Sequence, residues 1–327
     1  MLEVQEPILR TAGAHLRPLN PARDLLPVAD LIELCFAQTM DPDGHDYLQH
    51  MRQAARDENY LRWVPLFPEG MPLGMGGFVW EENGAIIGNL SLIPMTKASK
   101  RIYLIANVAT HPDHRRRGIG RALTQAAVDY ARNQGSPSTC LQVRQENLPA
   151  LALYQSLGFV ERARRTSWIN EGHSQGKPSR SGYTVTPRRA EDWLIQAAWL
   201  RDLYPREVIW NLPIHPNRFK PGFMNSISRF LLNEQIEQWA ARRDSQLIGV
   251  VSWEPSHSYA DSLWLASSSE LEDLAVQILL PGIRQLIPTH RPLSLNYPAN
   301  RAVNAIQEAG FTESQTLIWM ERVEPGR

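Results

Sequence analysis

The chain has 327 residues with 34 basic and 34 acidic side chains, so it lacks the broad positive field that nucleic-acid binding requires. No stretch reaches the roughly 18 uninterrupted apolar residues of a membrane span, and residues 1–17 lack the apolar core of a secretion signal, so a cytoplasmic location without membrane attachment is the expectation. The length invites division into two domains, and the two cysteines, Cys35 and Cys140, read as separate buried core residues without metal-ligand spacing.

In chain order, residues 14–17 read as a short strand and residues 25–36 and 47–55 as helices, with Asp41-Pro42-Asp43-Gly44 as a turn between the helices. His45, His50, His111 and His114 are scattered without the pairing that zinc demands, and no metal is expected. Residues 63–75 hold three prolines and two glycines and read as a long loop, in which Trp63, Phe67, Met71 and Met75 suit a lid or a packed surface segment equally. Residues 78–80 and 85–92 flank Asn83-Gly84, a hairpin signature because both residues accept positive φ.

The apolar run 102–108 then leads through Arg115-Arg116-Arg117-Gly118-Ile119-Gly120 into the helical pattern Ala122, Leu123, Ala126, Ala127, Tyr130. A strand, a glycine loop and a helix start in succession suit an anion: glycines free the backbone N–H groups, and the helix dipole points its positive end at the same place. Downstream, strand 139–143 precedes a helix capped by Asn147 and ended by Gly158, with Tyr154 about two turns from Asn147 on the same face.

The two motifs, RxxGxG and NxxAxxxYxxxGF with a strand between them, resemble the GCN5-related N-acetyltransferase (GNAT) family. The order of strand, helices, hairpin, strand, helix, strand, helix is the order of that family, with residues 160–170 in the last hairpin. The resemblance implies an α/β fold, a central mixed and mostly antiparallel sheet flanked by helices, and acetyl-CoA as acyl donor. It also implies that the strand before the loop splays open toward the pantetheine arm. On that basis Val108, Ala109 and Thr110 hold the pantetheine and polarise the thioester, and Arg115, Arg116, Arg117, Gly118, Ile119, Gly120 and Arg121 form the pyrophosphate loop. Asn147 bonds the pantetheine backbone, with a plain helix cap as its other role. Tyr154 is the general acid that returns a proton to the CoA sulfur, against the alternative that it packs on the sheet.

The second half repeats the plan. Ile248-Gly249 echoes Ile87-Gly88, and Ala302 to Phe311 echoes Ala150 to Phe159, so two tandem copies of the fold are expected: residues 1–172, a linker at 173–182, and residues 183–327. The whole stretch 171–182 is too polar and glycine-rich to build a core. In the second copy Ser267-Ser268-Ser269-Glu270-Leu271-Glu272-Asp273 replaces the arginine and glycine loop, and Ile306 replaces Tyr154. Carboxylates at a helix start repel a pyrophosphate, so this copy reads as degenerate, with a structural or substrate-shaping role. Trp193, Trp199, Trp210, Trp239 and Trp264 are expected to fill its core and the domain interface.

No carboxylate lies on residues 103–108 or 139–144 to serve as general base, and Glu33, Asp46 and Glu146 read as solvated surface acids. A water chain, a loop residue or an amine that arrives neutral remains. The leading expectation is an N-acetyltransferase acting on the primary amine of a small molecule, recognised by the first helices, the 41–75 connection and the last hairpin. A protein α-amino or lysine acetyltransferase is the first alternative, and a non-catalytic acyl-CoA sensor the second. Two copies in one chain can stand in for a homodimer, which favours a monomer over a homodimer.

Overall fold

The structure is a computed structural model that describes residues 15–57, 76–172, 181–222, 236–288 and 290–324. The chain divides into unit 1, Met1–Glu161 with Met320–Arg327, and unit 2, Arg162–Trp319. The loop residues Trp63, Phe67, Met71 and Met75, expected to form a lid or a packed surface segment, and positions 173–180 of the polar stretch lie outside the described residues.

In unit 1, β1 (Leu16–Pro18), β2 (Gly77–Glu82), β3 (Ala85–Lys97), β4 (Lys100–Thr110) and β5 (Ser138–Arg144) lie side by side in chain order. They are antiparallel up to β4, and β4 and β5 run parallel. Asn83 at φ +52° and Gly84 at φ +78° form the β2–β3 turn that Asn-Gly predicts. The first two helices begin earlier than their apolar periodicity indicates. α1 (Pro21–Phe36) is capped by Asn20, with proline at its first position. α2 (Pro42–Ala54) absorbs the expected Asp41–Gly44 turn, because Asp41 Oδ1 accepts from Gly44 N–H at 2.8 Å and so caps a helix.

Strand alternation sorts the helices into two layers. Val79 packs with Leu25, Val28, Ile32, Leu48 and Met51 of α1 and α2. Its neighbours on β2 face the other way: Phe78 meets Tyr130 of α3 (Ile119–Asn133) edge to face at 6.1 Å. α3 approaches β3 so closely that a Cβ on Gly88 would lie 2.7 Å from Ile119 Cγ2.

Unit 2 orders its strands β6 (Val160–Asn170), β11 (Leu293–Pro298), β10 (Asp261–Ser267), β9 (Gln246–Glu254), β8 (Glu237–Arg243) and β7 (Thr184–Pro187). As in unit 1, a hairpin, β8–β9, leads to a strand that is parallel to its next neighbour in the chain, β10 to β11. α4 (Leu148–Ser156) of unit 1 finds its echo in α7 (Val303–Glu308), while α5 (Trp193–Leu203) and α6 (Glu272–Leu279) pack onto the unit 2 strands. The Ile-Gly echo is a packing constraint: a Cβ on Gly249 would lie 2.7 Å from Ala275 Cβ on α6, as one on Gly88 would meet α3. Trp239, Trp253 and Trp264 are buried in this core, with Trp193 and Trp199 packed against it.

Strand membership departs from the simple tandem plan. β6 was expected to close the first copy, yet from Arg162 onward it belongs to unit 2. It pairs antiparallel with β11 from Arg165↔Pro298 to Asn170↔Leu293, and its Trp168 is 1 % exposed in the unit 2 core. β12 (Thr312–Val323) does the reverse. Residues 312–319 lie in unit 2, where the Thr316 hydroxyl meets that of Thr166 at 2.7 Å, and the chain from Met320 onward lies in unit 1. There Glu321 accepts from Lys97 Nζ at 2.8 Å, and Glu324 N–H donates to the Pro137 carbonyl at 3.0 Å. Among the described residues no helix is long and apolar enough to cross a membrane.

Deleting the chain from Met320 is expected to loosen unit 1. Amide exchange should accelerate across residues 136–144 while β9 and β10 keep their protection; unchanged exchange at 136–144 would show that the last strand is dispensable there.

Candidate active site

The local geometry of β4 begins with an irregularity. Against β3, Asn89 pairs with Ala109 and Ser91 with Ala106, so Asn107 and Val108 together face the single residue Leu90. This is a β-bulge, and Asn107 adopts φ +51° to make it, a left-handed conformation that asparagine tolerates better than most residues. The bulge is tied down by side chains: Asn89 Nδ2 donates to the Asn107 carbonyl at 3.0 Å, and Asn107 Nδ2 donates to Tyr47 Oη at 2.9 Å and to Ser91 Oγ at 3.3 Å. On its other side β4 pairs with β5 only from Tyr103↔Thr139 to Ile105↔Leu141. The strand therefore parts from β5 just before the bulge, and Val108, Ala109 and Thr110 lie beyond the parting.

The parted strand leads to the glycine loop. Arg116 takes φ +66°, and Gly118, the residue preceding α3, takes φ +81°. No side chain caps this helix start. The first helical bond runs from Ala122 N–H to the Gly118 carbonyl, so the N–H groups of Ile119, Gly120 and Arg121 have no intrahelical acceptor. A Cβ on Gly118 would meet nothing within 4 Å, and one on Gly120 would stand 3.6 Å from Leu153 and 3.9 Å from Thr110 Oγ1. The cradle is thus open, and its N–H groups and dipole suit a phosphate.

The arginines of this loop diverge. Arg115 folds back, its Nε donating to the Thr110 carbonyl at 3.4 Å. Arg117 pairs with Glu82 at 3.0 Å and contacts His114 Nδ1 at 2.6 Å, which ties its guanidinium to β2. The hydrogen bond from Arg117 holds the Glu82 carboxyl below the usual range. Arg121 donates to Ser156 Oγ at 2.6 Å, joining α3 to α4. Cys35 is only half-buried, contrary to the core role expected of it: at the end of α1 its thiol donates to the Thr110 carbonyl at 3.3 Å. Cys140 is buried as expected.

α4 begins at Asn147, whose Oδ1 accepts from Ala150 N–H at 3.3 Å. Asn147 is exposed, and this cap leaves its amide N–H groups available to donate. Tyr154, on the same helix, is 6 % exposed and packs edge to face on Phe159 at 6.0 Å. Burial pushes its phenol up to about 12, so it holds its proton throughout the neutral range. Gly158 ends the helix at φ +83°.

Glu33 is half-exposed and paired with Arg52 at 2.6 Å, Glu146 faces Arg144 at 3.7 Å in solvent, and Asp46 is exposed. They are solvated surface acids, as the sequence indicates. A pocket of about 460 Å³ lies along α1, between Leu31, Leu34 and Ile86 and the paired charges Arg23, Asp24 and Glu81. Neither the glycine loop nor Tyr154 lines it.

Unit 2 provides an internal comparison. β10 pairs with β9 in unbroken register from Ser262↔Glu254 to Ser267↔Gly249, with no counterpart of the bulge. Only residues 268–271 separate β10 from α6, where residues 111–118 separate β4 from α3. In the first turn of α6, Glu272 accepts from Arg301 Nη2 at 2.5 Å and from Tyr297 Oη at 3.1 Å.

Residues 29–159 match the family model described as the acetyltransferase (GNAT) family. A stretch of 81 residues is 35% identical to the ribosomal protein bS18-alanine N-acetyltransferase of Escherichia coli, covering 25% of this chain and 55% of that protein. A stretch of 151 residues is 31% identical to the mycothiol acetyltransferase of Thermomonospora curvata, 46% of each chain. The chain thus spans about half the length of the curated relatives it matches. In three dimensions it is similar to a GCN5-related N-acetyltransferase from Sphaerobacter thermophilus, with a TM-score of 0.61 at 15% identity over 97% of this chain and 98% of the other. That likeness establishes the fold along nearly the whole chain.

Gly118→Ala should destabilise unit 1 by about 1–2 kcal/mol, although its methyl group meets no neighbour, because the whole penalty is conformational. Urea unfolding measures it, and an unchanged midpoint would mean that the loop relaxes to negative φ.

Proposed function

We propose that this member of the acetyltransferase (GNAT) family, matched over residues 29–159, transfers an acetyl group from acetyl-CoA to the primary amine of a small molecule. The observation that carries the reading is the path of β4, which parts from β5 after Ile105 and ends at Thr110, beside the uncapped start of α3. Strand backbone without β5 partners and a phosphate cradle then follow one another in unit 1. Acetyl-CoA supplies an activated acyl carbon on a thiol leaving group.

In this reading the N–H groups of Ile119, Gly120 and Arg121, with the α3 dipole, hold the diphosphate, and Arg115 and Arg116 add positive charge at its rim. Val108, Ala109 and Thr110 align the acyl-pantetheine arm as an added strand, and their N–H groups polarise the acyl carbonyl. Asn147 donates its amide N–H to the same arm. Arg117, engaged by Glu82, acts on the loop through its conformation. As the amine nitrogen bonds to the acyl carbon and the carbon–sulfur bond breaks, Tyr154 gives its proton to the sulfur and recovers one from water. The amine loses its proton to solvent, since Glu33, Asp46 and Glu146 offer no buried base.

Unit 2 is read as binding no CoA. Its shortened loop, its regular β10 and Ile306 in place of Tyr154 support this, and the Glu272 carboxylate, held by Arg301 and Tyr297, fills the helix start that a phosphate would need.

A second reading, acetylation of a protein α-amino group, is favoured by the 35% identity to an alanine N-acetyltransferase. Turnover of a peptide with a free N-terminus, set against turnover of small amines, separates the two.

Calorimetry should find one acetyl-CoA per chain, and Gly118→Glu should abolish it by placing a carboxylate in the cradle. Two equivalents would make the second copy functional, and none would overturn the transferase reading. Tyr154→Phe should keep the affinity and lower kcat by about 10²- to 10⁴-fold, the range of general-acid contributions. Because the phenol titrates near 12, its acid form is depleted only as pH rises toward that value. The rate should therefore show no alkaline decline below about pH 10, the ordinary tyrosine value; an earlier decline would assign the proton to another group.

A further inference from the structure

We infer that Tyr47 is a positioning residue for acyl transfer: its hydroxyl locks the β4 bulge to α2 and so sets the direction of the strand backbone that would carry the acyl donor. The inference deepens the transferase reading and rests on it for the meaning of kcat.

Four polar side chains converge on one backbone irregularity. Asn89 and Ser91 of β3 are fully buried, and both meet Asn107, the first through its carbonyl and the second through its side-chain amide. A polar group inside a sheet is costly unless it is matched: Asn89 Oδ1 has no hydrogen-bond partner among the described residues, whereas the Asn107 amide is matched from outside the strands by Tyr47, at 2.9 Å from its Nδ2. Burial, the larger effect, raises the Tyr47 phenol against opposing hydrogen bonds with Ser91 and Asn107, so the group works as a neutral hydroxyl.

The lock is absent where no acyl site is read. In unit 2, β10 has no bulge, and Ala266 and Ser267 continue the regular pairing to Val250 and Gly249. Asn107 thus holds a strained conformation that the fold itself does not require, and a hydroxyl on a helix of the first layer maintains it. Misplacement of a reacting group by about 1 Å can lower a rate 100-fold, so a loosened bulge should show in kcat before it shows in binding.

The test uses the full chain with Tyr47→Phe, Asn107→Gly, which keeps the left-handed φ and loses the amide, and the double variant. Tyr47→Phe should lower kcat by about tenfold or more while the Kd for acetyl-CoA and the KM for the amine move by less than about threefold. Asn107→Gly should reproduce that loss, and the double variant should be no worse than either single one, as expected for one shared bond. Amide exchange at residues 105–110 should accelerate in each variant. A Tyr47→Phe enzyme with wild-type kcat, a loss confined to KM, additive effects, or unchanged exchange would each overturn the inference. If the wild type binds acetyl-CoA without turnover, the transferase reading fails separately, and unchanged exchange in Tyr47→Phe still decides against the lock.

Discussion

One extra residue in one strand governs the first unit. Asn107 and Val108 share the space opposite Leu90, and the strand that carries them leaves β5 after Ile105. Had β4 stayed paired on both sides, its N–H and C=O groups would all be spent on the sheet, as a buried backbone demands. The departure leaves some of them without strand partners, and they lie next to a helix start that has a left-handed glycine and no capping side chain. In the proposed reading, the glycine loop, Asn147 and Tyr154 gain chemical meaning only beside that opened strand.

The second copy shows what the fold does without this departure. It has the same hairpin, the same parallel pair and the same glycine beneath the helix, so the scaffold survives with a straight β10. Bulge, long loop and buried phenol are therefore features added to the scaffold, not consequences of it. The carboxylate of Glu272 at the corresponding helix start meets the helix dipole from within the chain, which stabilises the helix.

Much of this was legible from local chemistry. Asn83-Gly84 dictates its turn, Asn147 caps α4, and the Ile-Gly echo at Gly88 and Gly249 marks the duplication, although that a helix presses on the strand at both glycines emerges only from the structure. The bulge was less visible, though an asparagine within the apolar run Leu104 to Val108 was its signal, since few other residues take positive φ. The start of α2 was misread as a turn because an Asx cap and a β-turn use the same residues. The allocation of β6 and β12 could not be read at all. A strand's own pattern tells which face is buried, but not which neighbour it joins.

That allocation bears on how the chain is made. The ion pair between Lys97 and Glu321 joins residues 224 positions apart, and 158 residues of unit 2 intervene before Met320. At about 5–20 residues per second, synthesis of that interval takes roughly 8 to 30 s. Through that time the nascent first unit has its loop and its helices but lacks the strand that finishes it. An incomplete unit with an open sheet edge is where mispairing between chains would start. The order of synthesis therefore makes the second unit the timekeeper for completion of the first.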